Sequence, residues 1–261
     1  MTAHSLEHIW SLPADLPARS GRDARSDVKS LSLVDETVAL RRCALYRKAF
    51  KGNAVSYPAA LLGFDALTAW MQRHRVTVDV TTAAQLDRAV TVGVDPMRIV
   101  VQHGDGAAAP IPRAVNAGAA RFIVGSSQQI AILAGSADRA VWVVVDATDD
   151  AANTLVAEVL AHRALDLVGL QCSLDDTDDT DDAINVRRLI AEMSWIRREH
   201  GVLLSRISLA GLHVGGRFLE PRILRRVAEA IGEVVGDACT RHRYPRPALT
   251  MSLGQAAVLP A

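Results

Sequence analysis

The sequence predicts an α/β fold, a single (β/α)8 TIM-type barrel, on three observations. Short, β-rich apolar runs recur eight times between residues 43 and 253. Helix-period segments separate them, so each strand is followed by a crossover and the strands pair in parallel. An eight-fold beat over about 210 residues fits a closed barrel better than an open doubly wound sheet. The segments share no motif at fixed period, which argues against a solenoid.

Residues 1–40 carry Pro13, Pro17, Ser20 and Gly21 among scattered charges. They read as an arm, with one helical turn near Leu6–Trp10, packing on a barrel of residues 41–261. The first strand is expected at 43–50 (CALYRKAF), closed by a Gly52-Asn53 turn, and the first helix at 58–74. Strands follow at 76–80 (VTVDV), 98–102 (RIVVQ), 121–124 (RFIV), 141–145 (VWVVV), 167–171 (LVGLQ), 206–210 (RISLA) and 248–253 (ALTMSL). Helices fall between them at 83–92, 110–117, 127–135, 151–163, 182–200 and 220–238. Within 182–200, Ile184, Leu189, Ile190, Met193 and Ile196 recur three to four apart, the period of a buried helical face. Asp181 or Asp182 can cap its start and Gly201 its end, as Gly93 and Gly118 end earlier helices. No helix is expected after the last strand, so the arm is expected to cover the flank between the last and first strands, or that flank stays open.

Charge is balanced, with 29 basic and 29 acidic residues. That gives no general attraction to nucleic acid or to an anionic membrane. The basic run at 241–246 (RHRYPR) reads as a solvated loop. Cys43, Cys172 and Cys239 are widely spaced and odd in number, against both a disulfide framework and a zinc site. There is no basic region followed by an apolar core at the N-terminus, and no apolar run near the ~20 residues of a membrane span. The expectation is a cytoplasmic protein.

Chemistry in such barrels sits at the C-terminal ends of strands. Lys51 stands at that end of the expected first strand, as a solvated strand end or as a nucleophile. The stretch KAFKGN resembles the lysine motif of fold-type III pyridoxal-phosphate enzymes, in particular the diaminopimelate and ornithine decarboxylases with their alanine-racemase-like barrel. VDVTTAAQLDRAVTVGVDPMRIVVQHGDG is similar to that family's second strand through third strand, and AVNAGAARFIVGSSQQIAIL to its fourth strand and helix. LVGLQCSLDD, SLAGLHVGG and TMSLGQAAV resemble its later strand ends. The resemblance spans about residues 43–259.

It implies pyridoxal 5'-phosphate as cofactor, weakly held or lost, and a small amino acid as substrate if the protein is active. Lys51 would be the aldimine lysine and catalytic residue. Asp79, Ser173, Gly211 and Gly254 would lie at the cofactor, Asp79 alternatively capping the helix that follows it. No metal is implied. Departures from the family pattern are many. Ser173 replaces a ring-stacking histidine, and Leu174-Asp175 a Gly-Ser phosphate contact. Gly211-Leu212-His213 replaces a triple glycine, with Gly215-Gly216 as the available substitute. Ser252 replaces the glutamate on the ring nitrogen and Gln255 an arginine. The six aspartates of 175–183 would disfavour a phosphate at the same mouth, or form a solvated helix cap, or a cation site. The family's C-terminal β-domain has no counterpart here. The resemblance thus implies a decarboxylase-type barrel with weak or no turnover. The alternatives are a non-catalytic scaffold, a homodimer or heteromeric partner of a full-length relative, and a single-barrel protein of cofactor homeostasis.

Overall fold

The computed structural model describes residues 35–102, 109–148, 152–174, 179–212 and 220–259. Eight parallel strands close into a barrel in chain order. They are β1 (Ala54–Pro58), β2 (Thr77–Val80), β3 (Ile99–Val101), β4 (Arg121–Val124), β5 (Val141–Asp146), β6 (Leu165–Ser173), β7 (Arg206–Leu212) and β8 (Ala248–Leu253), with β8 pairing back to β1. The α-helices among the described residues are α1 (Glu36–Ala49), α2 (Asp65–His74), α3 (Ala83–Thr91), α4 (Pro110–Ala117), α5 (Ser127–Ser136), α6 (Ala152–Leu160), α7 (Asp179–His200), α8 (Pro221–His242) and α9 (Gln255–Val258). The (β/α)8 expectation holds, and seven of the eight expected strands fall within two residues of their observed ends.

The expected first strand does not. Residues 43–49 belong to α1 and Phe50 is its C-cap, and the physical reason is legible in the burial. Ala39, Cys43, Tyr46 and Phe50 are buried at spacings of four, three and four, which is one helical face. Asp35 caps the helix, its carboxylate accepting from the N–H groups of Thr37 (2.9 Å) and Val38 (3.3 Å). Glu36 in the first turn and Arg47 and Lys48 in the last complement the helix dipole. The chain then reverses through Gly52, whose φ of +99° suits glycine. The true β1 is five residues long and ends on Pro58, whose missing N–H costs nothing at a strand end. The expected helix at 58–74 splits into a 3-10 turn, Ala59–Gly63, and α2.

This shift also resolves the flank. The helix α1 packs against α8, α2 and α9, so the side of the barrel where β8 meets β1 is covered from in front of the first strand. Arg42, buried in that contact, donates to the Ala257 carbonyl at 3.2 Å, and the Tyr57 hydroxyl of β1 donates to the Cys43 carbonyl at 3.0 Å. A boundary at residue 40 falls inside α1.

Packing divides by strand face. Outward residues such as Tyr57, Val78, Val80, Phe122, Val143, Ile207 and Met251 join the helices in one continuous core. The lumen is different: Val100, Ile123 and Val144, with Val168 beside them, form a separate small cluster. Opposite that cluster the lumen is polar. Cys43, Cys172 and Cys239 are all buried free thiols.

Candidate functional site

The polar half of the lumen is built by β8, β1 and β2. Register sets Ser252 beside Ser56, and Ser56 beside Thr77, so alternate residues of the three strands share the inner face. Asp79 lies there, 6% exposed. The hydroxyls of Ser56 and Ser252 both donate to its Oδ2 at 2.6 Å. The Gln102 amide donates to the Ser252 hydroxyl at 3.4 Å, closing a chain across four neighbouring segments. Farther round, the Ser208 hydroxyl donates to Gln171 Oε1 at 2.9 Å.

Three atoms of this lumen find no partner among the described residues: Asp79 Oδ1, Gln171 Nε2 and Arg121 Nε. Asp79 and Arg121 share a cavity of about 30 Å³ with Ser56, Gln102, Arg206 and Ser208. Burial raises the Asp79 pKa, opposed by the Ser252 and Ser56 hydroxyls, the Gln102 amide and the field of Arg121. The Arg121 pKa is lowered by its own burial and by Arg206, which stands across the ring of Trp142. The arrangement can hold a carboxyl and hydroxyls in a fixed, nearly dry array.

The residues expected at a cofactor separate into two groups. Ser173, at the end of β6, donates its N–H to the Thr148 hydroxyl oxygen at 3.2 Å. Gly254 follows β8 and caps α9, and Gly211 lies near the end of β7. These three stand at the C-terminal rim, and Asp79 in the lumen below it. Asp79 is not the cap of the following helix; Thr82 is, accepting from the Gln85 N–H at 3.2 Å. Gly211 has φ +78°, and a Cβ there would meet the Leu174 carbonyl oxygen at 2.9 Å. The close approach that demands glycine is therefore to the protein's own backbone.

Lys51 belongs to neither position. It is exposed in the turn before β1, at the N-terminal end of the barrel and opposite Ser173. Its expected place at a strand's C-terminal end is overturned, because the helix α1 occupies the residues read as strand. The residue that β1 does send to Asp79 is Ser56, which sequence reasoning missed. The available signal was a polar residue at every second position: Ser56 in AVSYP, Thr77 and Asp79 in TVDV, Ser208 in RISLA, Thr250 and Ser252 in ALTMSL. His213, Gly215, Gly216 and the side chains of the aspartate run at 175–182 lie outside the described residues. Among the described residues no group of three or more His, Cys, Asp or Glu could hold a metal, and no helix is long and apolar enough to cross a membrane.

No family model matches the chain, and no curated protein does. Solved structures do. Diaminopimelate decarboxylase from M. jannaschii superposes with TM-score 0.70 at 16% identity, covering 86% of this chain and 60% of its own. Lysine/ornithine decarboxylase from Vibrio vulnificus, complexed with putrescine, gives 0.70 at 14% identity, with 85% and 62% covered. Lysine decarboxylase from Selenomonas ruminantium gives 0.67 at 15% identity, with 91% and 66% covered. The fold is the barrel of the fold-type III decarboxylases. The chain spans less than two thirds of the length of each of these structures.

The Selenomonas enzyme is also known in complex with pyridoxal phosphate and cadaverine. Among the described residues of this barrel no lysine stands at the C-terminal rim, where it could condense with that group. The sequence holds three lysines, Lys29, Lys48 and Lys51. Lys29 lies outside the described residues, and the other two are exposed at the far end. Residues 103–108, 149–151, 175–178 and 213–219, in the loops that follow β3, β5, β6 and β7 at the C-terminal rim, lie outside the described residues.

Proposed function

We propose that this chain is a barrel of the decarboxylase fold that acts by binding, as a non-catalytic scaffold or partner, rather than by decarboxylating amino acids. One observation carries the reading: the lumen position of β1 beside Asp79 is Ser56, while Lys48 and Lys51 stand at the opposite end. A cofactor aldehyde is held covalently by an amine, and a hydroxyl cannot replace that condensation. Ser252 supports the same reading. It is engaged with Asp79 as a neutral hydroxyl and offers no carboxylate to a ring nitrogen.

The test is an absorbance spectrum of the purified full chain with and without pyridoxal phosphate, joined to carbon dioxide release from diaminopimelate, lysine and ornithine. The expected result is a cofactor that dialyses away and no release above that of free pyridoxal phosphate. Borohydride-trapped label, located by mass spectrometry, is expected on Lys48 or Lys51 without activity. A stoichiometric cofactor that survives dialysis, with turnover lost on replacing a single lysine, would overturn the proposal.

A further inference from the structure

At the N-terminal end of the barrel, α1 and α2 finish in basic turns, Arg47 and Lys48 on one, Arg73 and His74 on the other. The turn into β1 adds Lys51 and Asn53. Arg47, Lys48, Lys51, Asn53, Trp70 and His74 line an open groove of about 600 Å³. Among the described residues no carboxylate lines it.

Basic residues in a last helical turn ordinarily balance the helix dipole. Two helix C-termini present about −0.5 each, about −1 together. Arg47, Lys48 and Lys51 bring three positive charges, and among the described residues no carboxylate pairs with any of them. The acidic residues of the same helices, Glu36 and Asp65, stand in the first turns. For α1 that is roughly 20 Å away at 1.5 Å per residue, beyond the ~8 Å screening length of physiological salt. Burial and the neighbouring Arg47 and Arg73 lower the His74 pKa, so the count of three does not depend on it. The groove is left with an excess of about two positive charges.

Its other wall is aromatic. Trp70 is set by an edge contact with Tyr57, with centroids 5.5 Å apart, and a tilted contact with His74 at 4.8 Å. We propose that this groove binds a phosphate-bearing aromatic metabolite of nucleotide size, its phosphates on Arg47, Lys48 and Lys51 and its ring beside Trp70. The volume falls within the ~300–1,000 Å³ of small-molecule sites. Phosphate on several cations gains from charge-assisted hydrogen bonds, and Asn53 adds a neutral donor and acceptor at the same edge. The site lies at the opposite end of the barrel from Ser56 and Asp79 and does not depend on the reading given for them.

Isothermal titration of the full chain with ADP, adenosine and inorganic pyrophosphate, at low and high salt, tests it. ADP is expected to bind more tightly than either fragment, and more weakly as salt rises. Lys48→Gln with Lys51→Gln, both exposed, should leave the melting temperature unchanged and weaken ADP binding at least tenfold, about 1.4 kcal/mol. Arg113→Gln, on the distant α4, should leave ADP binding unchanged. Adenosine binding as tightly as ADP would overturn the proposal. So would pyrophosphate matching ADP, equal affinity in the double variant, an equal loss in the Arg113 control, or no heat at millimolar ADP.

Discussion

Asp79 brings a carboxyl into a lumen with little solvent and few partners. Oδ2 accepts two hydroxyls while Oδ1 has none among the described residues, so the charged form is poorly compensated. Its pKa is therefore raised in the folded state, chiefly by burial. A carboxyl raised on folding favours the native state fully below its unfolded value of about 3.9, and that contribution is lost as pH climbs through the folded value. Asp79→Asn removes the titration and keeps one acceptor oxygen for the two serines. Wild type is expected to lose stability relative to the variant as pH rises above the unfolded value of about 3.9, read from urea midpoints at each pH. A stability difference that stays flat above that value would show that Asp79 does not titrate differently on folding.

At the scale of elements, α1 is the piece that sequence reading misplaced, and two contacts hold it. The Asp35 cap satisfies two N–H groups of its first turn, and the buried Tyr57 hydroxyl ties its Cys43 carbonyl to β1. Asp35→Ala and Tyr57→Phe are each expected to lower stability by about 1 kcal/mol, seen as a lower denaturation midpoint at unchanged slope. A midpoint unchanged by both substitutions would mean that α1 frays apart from the barrel's cooperative unfolding. The strand read at 43–50 failed for a definable reason. CALYRKAF has β-forming residues, but its apolar positions, extended back to Ala39, repeat at three to four rather than two. Lys51 was misplaced with it, and the lysine motif with Lys51.

At the scale of the molecule, a barrel needs every outer strand face covered. In this chain α1 covers the side where β8 meets β1, beside α8 and α2. A chain beginning at residue 51 would expose the surfaces that α1 occupies. A few hundred Å² of apolar surface, at roughly 25 cal/mol per Å², is enough to drive association. Such a truncation is expected to elute as aggregate on size exclusion and to bind a hydrophobic dye. A monomeric peak with the parent melting temperature would refute that role for α1.

The amino-acid sequence by itself determined the eight-fold alternation, seven of the eight strands and the closed barrel, because these rest on local periodicity and on the parallel pairing that crossovers require; the decarboxylase type of that barrel came from resemblance to a known family. It also carried the polar lumen, as serine, threonine and aspartate at every second strand position, though nothing local says which face of a strand turns inward. Only the closed barrel decided that. Ser56, Asp79 and Ser252 lie on strands separated by up to 196 residues along the chain, and β8–β1–β2 register alone brings the serine hydroxyls to 2.6 Å from the Asp79 carboxylate. Closure decided the fate of Lys51 as well. A lysine beside a Gly-Asn turn looks alike at either end of a strand, and only the direction in which the chain enters β1 sets it at the end away from Asp79.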